Sequence, residues 1–133
     1  MLKIVCRGKM KEHFYRNAEE EYRKRIEKFI PIEITERDAA AHHRCTYHIY
    51  LDERGEEMDS RSFSHLLKEL LLHHKTICFF IGGWEGFTER ERERADRILS
   101  LSKMTFPYQL CRVVLLEQIY RALTMIKGIS YQK

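Results

Sequence analysis

The segment Thr76-Ile77-Cys78-Phe79-Phe80-Ile81 is apolar on both faces and stops abruptly at Gly82-Gly83-Trp84-Glu85-Gly86. Side chains alternate between the two faces of a strand. One that is apolar on both has no face to give to water, and belongs at the centre of a parallel sheet covered on both sides. The rest of the chain supplies that cover. Leu2 to Arg7 reads as a short strand ending at Gly8, after which Phe14, Ala18, Tyr22, Ile26 and Phe29 recur at helical spacing. This pattern predicts an amphipathic helix over 11–28, stopped by Pro31. Ile32 to Thr35 and Tyr47 to Leu51 alternate as strands, and Asp52 to Glu57 around Gly55 reads as a turn. Phe63, Leu66, Leu67, Leu70 and Leu71 make the stripe of a second helix, with Asp59 or Ser60 as its N-cap. Thr88 and Glu91 form a capping box that opens a charged helix through Arg97. Ile98 to Ser102 reads as a last strand, and Pro107 occupies the first position of a final helix reaching 127. Strands alternating with helices predict an α/β fold with a mainly parallel sheet. Ligands bind such sheets beyond the carboxyl ends of the strands, here at Gly82 to Gly86 and Ser102 to Phe106.

The final helix carries Leu110, Val113, Val114, Leu115, Leu116, Ile119, Leu123 and Ile126 around more than one side. One side can face the sheet and another a second subunit, so a homodimer is expected. At 133 residues the chain is expected to form one domain, 1–133. The apolar runs Ile77 to Ile81 and Val113 to Leu116 fall far short of the ~20 residues that cross a bilayer. Met1 to Arg7 lacks the pattern of a secretory signal. A cytoplasmic location away from membranes is expected.

The four cysteines, at 6, 45, 78 and 111, include no Cys-x-x-Cys pair. Cys6 and Cys78 lie in apolar runs and are expected to be reduced core residues. His42, His43, Cys45 and His48 come nearest to a metal set, but no second cluster completes it, and no metal is expected. Charge is uneven. Residues 1–28 hold nine Lys or Arg against five acids, residues 29–102 ten against fourteen, and residues 103–133 five against one. If the two ends meet in space they form a basic surface suited to a polyanion.

Glycines 82, 83 and 86 after a buried strand let backbone approach a ligand, although their spacing matches neither the dinucleotide nor the Walker pattern. The segment FFIGGWEGF, the later LSLSKMTFPYQLCRVVLLEQIYRAL, the terminal SYQK and the opening LKIVCRGKMKEHFYRNAEEEYRKRI together resemble the RlmH family of SPOUT-class methyltransferases over nearly the whole chain. The resemblance implies a C-terminal trefoil knot, an exception to the rule of un-knotted chains. It implies S-adenosylmethionine as cofactor, homodimers, and methylation of N3 of a pseudouridine in large-subunit ribosomal RNA of assembled ribosomes. It places the cofactor against Leu51, Gly82, Gly83, Leu101, Ser102, Lys103, Met104, Thr105 and Phe106.

Among groups near the ligand, Glu85, Glu117, Tyr131 and Arg112 are candidates. Arg112 suits orientation of a phosphate or base carbonyl, Tyr131 stands beside it as a catalytic candidate, and no general base is assigned. Glu117 and Arg121 are spaced for an ordinary helical ion pair. Lys9, Lys11, Arg23, Arg112, Arg121, Lys127 and Lys133 are candidates for gripping RNA. Two departures from the family pattern matter. Tyr108 and Gln132 stand where relatives commonly carry His, so a terminal imidazole is lost. The chain is also shorter between the strands near Ile34 and Ile49, which leaves an extended traverse there rather than a helix. The first departure motivates an alternative, a non-catalytic ribosome-binding module that keeps the fold. The glycine turn alone would also fit a nucleotide-binding enzyme of another reaction type.

Overall fold

A computed structural model describes residues 1–37 and 44–131. In chain order the elements are β1 (Leu2–Cys6), α1 (His13–Glu27), β2 (Ile32–Thr35), β3 (Tyr47–Glu57), α2 (Ser60–His73), β4 (Ile77–Ile81), α3 (Glu89–Glu93), β5 (Arg97–Ser100) and α4 (Tyr108–Lys127). The strands form one sheet in the order β2-β1-β4-β3-β5, and each neighbouring pair is parallel. The apolar segment that constrained the sequence reading is β4, buried at all five positions between β1 and β3.

Alternation along the strands sorts two cores. Leu2, Ile4, Cys6, Ile49, Leu51, Ile77, Phe79, Ile81 and Leu99 face Ile26 of α1, Phe63, Leu67 and Leu70 of α2, and Leu115, Leu116, Ile119 and Leu123 of α4. The opposite face carries Val5, Tyr50, Cys78 and Phe80, with Cys45, Phe87 and Ala95 packed against them. Helix α4 is flanked by α1 and by α2 and also touches β4, so much of its apolar circumference is used within the chain. Asp59 caps α2 by accepting from the Ser62 N–H at 2.8 Å, and the Thr88–Glu91 capping box opens α3. Pro107 is the residue before α4 rather than its first helical position.

Four further expectations are corrected. The residues around Gly55 are not a turn. Strand β3 continues through them to Glu57, with a register shift against β5 between Leu51 and Glu56. Gly55 is needed there because a Cβ would lie 2.7 Å from the Ile98 carbonyl oxygen. Helix α3 ends at Glu93 instead of Arg97, because Asp96 is already tied to β3. Its N–H donates to the His48 carbonyl at 2.9 Å and its carboxylate accepts from the His48 N–H at 2.7 Å. Strand β5 accordingly starts at Arg97 and ends at Ser100, short of Ser102. Finally, Cys78 is not reduced but forms a disulfide with Cys45, their Cα atoms 5.7 Å apart. Pairing of Tyr47 with Ile77 in the parallel β3–β4 ladder brings these distant cysteines together. Cys6 is free and buried, and burial pushes its thiol up to about 12. The traverse expected across 37–45 falls largely on residues outside those described, as do His42 and His43 of the metal set. Of that set, Cys45 is in the disulfide and the His48 ring lies 3.1 Å from an Asp96 carboxylate oxygen.

Candidate active site

The carboxyl ends of β4 and β5 and the middle of β3 open onto one cleft of about 740 Å³. That is the size range of small-molecule sites. Its floor is apolar, with Leu51, Ile81 and Leu101. Its walls are the loop from Gly82 to Phe87, the loop from Leu101 to Pro107, and the start of α4 at Tyr108 and Cys111. The continuation of β3, Asp52 to Arg54, forms another side.

Each wall is held by identifiable contacts. The first loop turns tightly through a bond from the Gly86 N–H to the Gly83 carbonyl at 3.0 Å, with Gly86 at φ +73°. Side chains rarely adopt that backbone conformation. A Cβ on Gly82 would come within 3.1 Å of the Gly86 backbone, so a side chain there would push the loop outward by a few tenths of an ångström. Arg7 pins it from the end of β1. Its guanidinium donates to the Gly86 carbonyl at 3.1 Å, pairs with Glu91, and sits 4.9 Å over the Phe87 ring. The second loop is tied to β3 through the Thr105 hydroxyl, which donates to the Glu53 carboxylate. It is tightened by the Met104 N–H donating to the Ser102 hydroxyl at 3.0 Å. Asp52 pairs with Arg92 of α3. Burial pushes the Asp52 carboxyl up, but bonds from the Arg54 N–H and the nearby guanidinium groups outweigh it and the net direction is down. Burial pushes the Cys111 thiol up to about 11, so it faces the cleft as a thiol and not as a nucleophilic thiolate.

Of the expected cofactor-binding residues, Leu51, Gly82, Gly83, Leu101, Ser102, Met104, Thr105 and Phe106 all line this cleft. Lys103 does not. Its side chain is 83% exposed and lies 3.6 Å from Glu57. Lys9 and Lys11 are exposed on the segment after β1, which is fastened to the start of α4 where Gln109 accepts from the Lys11 and Glu12 N–H groups.

The two catalytic candidates are engaged elsewhere. Arg112 is 2% exposed. It grips Glu19 with two bonds of 2.8 and 2.9 Å, Glu36 at 2.8 Å and the Gly8 carbonyl at 3.2 Å. It therefore braces the segment after β1 against α1 and α4 rather than facing the cleft. Tyr131 donates to Glu117 at 3.1 Å, packs edge-on against Tyr120 and lies under the Arg121 guanidinium. Arg121, expected to grip RNA, makes the anticipated ion pair with Glu117. Burial and the bonds with Tyr22 and Glu117 push the Tyr131 phenol further from ionisation. Glu117 lies nine residues beyond Tyr108 on α4, about 13 Å along the axis, so this latch is away from the cleft. Gln132 and Lys133 lie outside the described residues.

Sequence reasoning missed Arg7, the Glu53–Thr105 tie and the Asp52–Arg92 pair. The available signal for Arg7 was its place at the end of β1, since the carboxyl ends of neighbouring parallel strands share one edge.

Residues 37–132 match the family described as "Predicted SPOUT methyltransferase". The "Ribosomal RNA large subunit methyltransferase H" of Caldicellulosiruptor saccharolyticus is 34% identical over 154 aligned residues, covering 100% of both chains. Its counterpart in Coprothermobacter proteolyticus is 40% identical over 135, covering 98% of this chain and 97% of that protein. The short form of this chain thus has a counterpart among its relatives. A probable methylase family protein from Haemophilus influenzae Rd KW20 shares the fold with a TM-score of 0.66 at 11% identity, over 99% of this chain and 70% of that one. With the matched length, the full-length relatives and a cleft at the strand ends in agreement, the chain belongs to the ribosomal RNA large subunit methyltransferase H family of SPOUT methyltransferases.

Proposed function

We propose that this chain is an S-adenosylmethionine-dependent methyltransferase that acts on large-subunit ribosomal RNA, at N3 of a pseudouridine, as a cytoplasmic homodimer. The names of its full-length relatives supply the substrate class. The observation that carries the reading is the cleft bounded by both the glycine-turn loop and the pre-α4 loop. Its residues fit a nucleoside cofactor. Leu51, Ile81 and Leu101 offer an apolar bed for an adenine, and the backbone at Gly82 and Gly83 offers close approach without intervening side chains.

When bound, such a cofactor supplies an electrophilic methyl group on a positively charged sulfur. The chain's own contribution is then positioning. Holding donor and acceptor at near-attack geometry is worth on the order of 7–11 kcal/mol. The rigid ties of Arg7, Thr105 and Glu53 are the groups that would hold the two loops in place for it. A C-terminal trefoil knot involving the pre-α4 loop belongs to the same reading. So does dimerisation through the half-buried Leu110, Val113 and Val114 of α4.

Arg112 and Tyr131 both being occupied outside the cleft favours a second reading, a ribosome-binding module without transfer. Methyl incorporation into ribosomes from a strain lacking the activity separates the two. The transferase reading expects incorporation with wild type and none with Gly82→Trp, and calorimetry with S-adenosylmethionine should lose its binding heat in the same variant. Ribosome binding without incorporation would establish the module instead.

A further inference from the structure

Among the described residues, the two most exposed large apolar side chains are Trp84, at 87%, and Met104, at 75%. Scattered apolar residues on a surface need no explanation, but these two line the same cleft, one from each of its two loops. Trp84 sits at the corner of the turn closed by Gly83 and Gly86, and that turn is fixed from behind by Arg7. The indole is thus presented on a pre-shaped loop, outside the apolar floor formed by Leu51, Ile81 and Leu101. Arg54 lines the cleft with a side chain 66% exposed and 3.5 Å from Asp52, while Lys103 lies outside the lining beside Glu57. A fixed, exposed aromatic face at the mouth of a cleft is the chemistry on which an unpaired nucleobase stacks.

We propose that Trp84 is a stacking platform for an unpaired base of the RNA substrate at the cleft mouth, governing substrate affinity rather than the transfer step. This rests on the reading of the chain as acting on RNA. Because Trp84 is the only tryptophan in the sequence, its fluorescence reports the site directly.

Titration of the full chain with a short single-stranded oligouridine should quench the indole. Titration with S-adenosylhomocysteine should leave it largely unchanged. In methyl-transfer assays on ribosomes, Trp84→Ala should raise KM roughly five- to hundredfold, the range of one base stack removed, with little change in kcat. Trp84→Phe should recover most of the affinity, and Leu72→Ala, a control at another solvent-facing apolar position on α2, should match wild type. Quenching by S-adenosylhomocysteine but not oligouridine would make Trp84 a cofactor-binding residue and overturn the proposal. So would an unchanged KM in Trp84→Ala. Quenching by oligouridine in a protein that transfers no methyl would leave the stacking site standing and remove the transferase reading alone.

Discussion

At Arg112, burial overrides what a residue type suggests. A guanidinium in isolation reads as a ligand for phosphate, but at 2% exposure it needs carboxylates, and Glu19 and Glu36 provide them. The two acids respond in opposite directions. Burial pushes the Glu19 carboxyl up, with Arg112 pulling against it. At Glu36 burial is outweighed by bonds from Arg112 and from the Met10 N–H, and the net direction is down. Glu36 therefore stabilises the fold above its ordinary range, and that share is lost as pH falls through its lowered folded value. Glu19 contributes below its ordinary value and loses that share as pH rises through its raised one. Glu36→Gln should thus lower stability at neutral pH by about 0.5–1.5 kcal/mol, a charge-assisted hydrogen bond discounted for a carboxylate that is 37% exposed. Urea midpoints of wild type and Glu36→Gln measure the difference, which should narrow below about pH 4 as the wild-type carboxylate takes up its proton.

At the scale of elements, the length of β3 decides the shape of the cleft. Had the chain turned at Asp52 to Glu57, Glu53 would not reach Thr105 and one wall would be untied. Gly55 is a turn signal in the sequence and a bulge residue in the structure, because glycine serves both purposes and only the partner strand distinguishes them. At Gly55 the obstacle to a side chain is the Ile98 backbone, which cannot step aside. Gly55→Ala should therefore cost about 1–3 kcal/mol in thermal or urea unfolding and, on the proposed reading of the cleft, weaken S-adenosylmethionine binding by calorimetry through the Glu53–Thr105 tie. Gly8→Ala is the contrasting case. Its new methyl would meet the Tyr108 ring, which can rotate, so a smaller loss of stability is expected.

For the whole molecule, the Cys45–Cys78 bond spans 33 residues of sequence. A loop of that length is worth roughly 3–4 kcal/mol in denatured-state entropy. Dithiothreitol should lower the melting temperature, and Cys45→Ser should melt at that lower temperature with or without reductant. The basic ends of the chain do come together, with α1 packed along α4. RNA affinity should fall steeply with salt, and replacing Lys9 and Lys11 by Ala should flatten the logarithmic salt slope by about 0.7–0.9 for each phosphate that is no longer neutralised.

The order and type of the elements, the buried β4 and the two loops at the strand ends were legible from the sequence. Helical and strand periodicities and cap residues are local properties, and a local pattern of apolar side chains dictates which face is buried. Strand order, the disulfide, the extension of β3 and the partners of Arg7, Arg112 and Tyr131 were not. Each depends on which distant segment arrives alongside. Cys45 meets Cys78 only because β3 lies next to β4, and Arg7 meets the glycine turn only because β1 lies on the other side. Sequence determined which positions could serve a cleft, and packing decided which side chains were left to serve it.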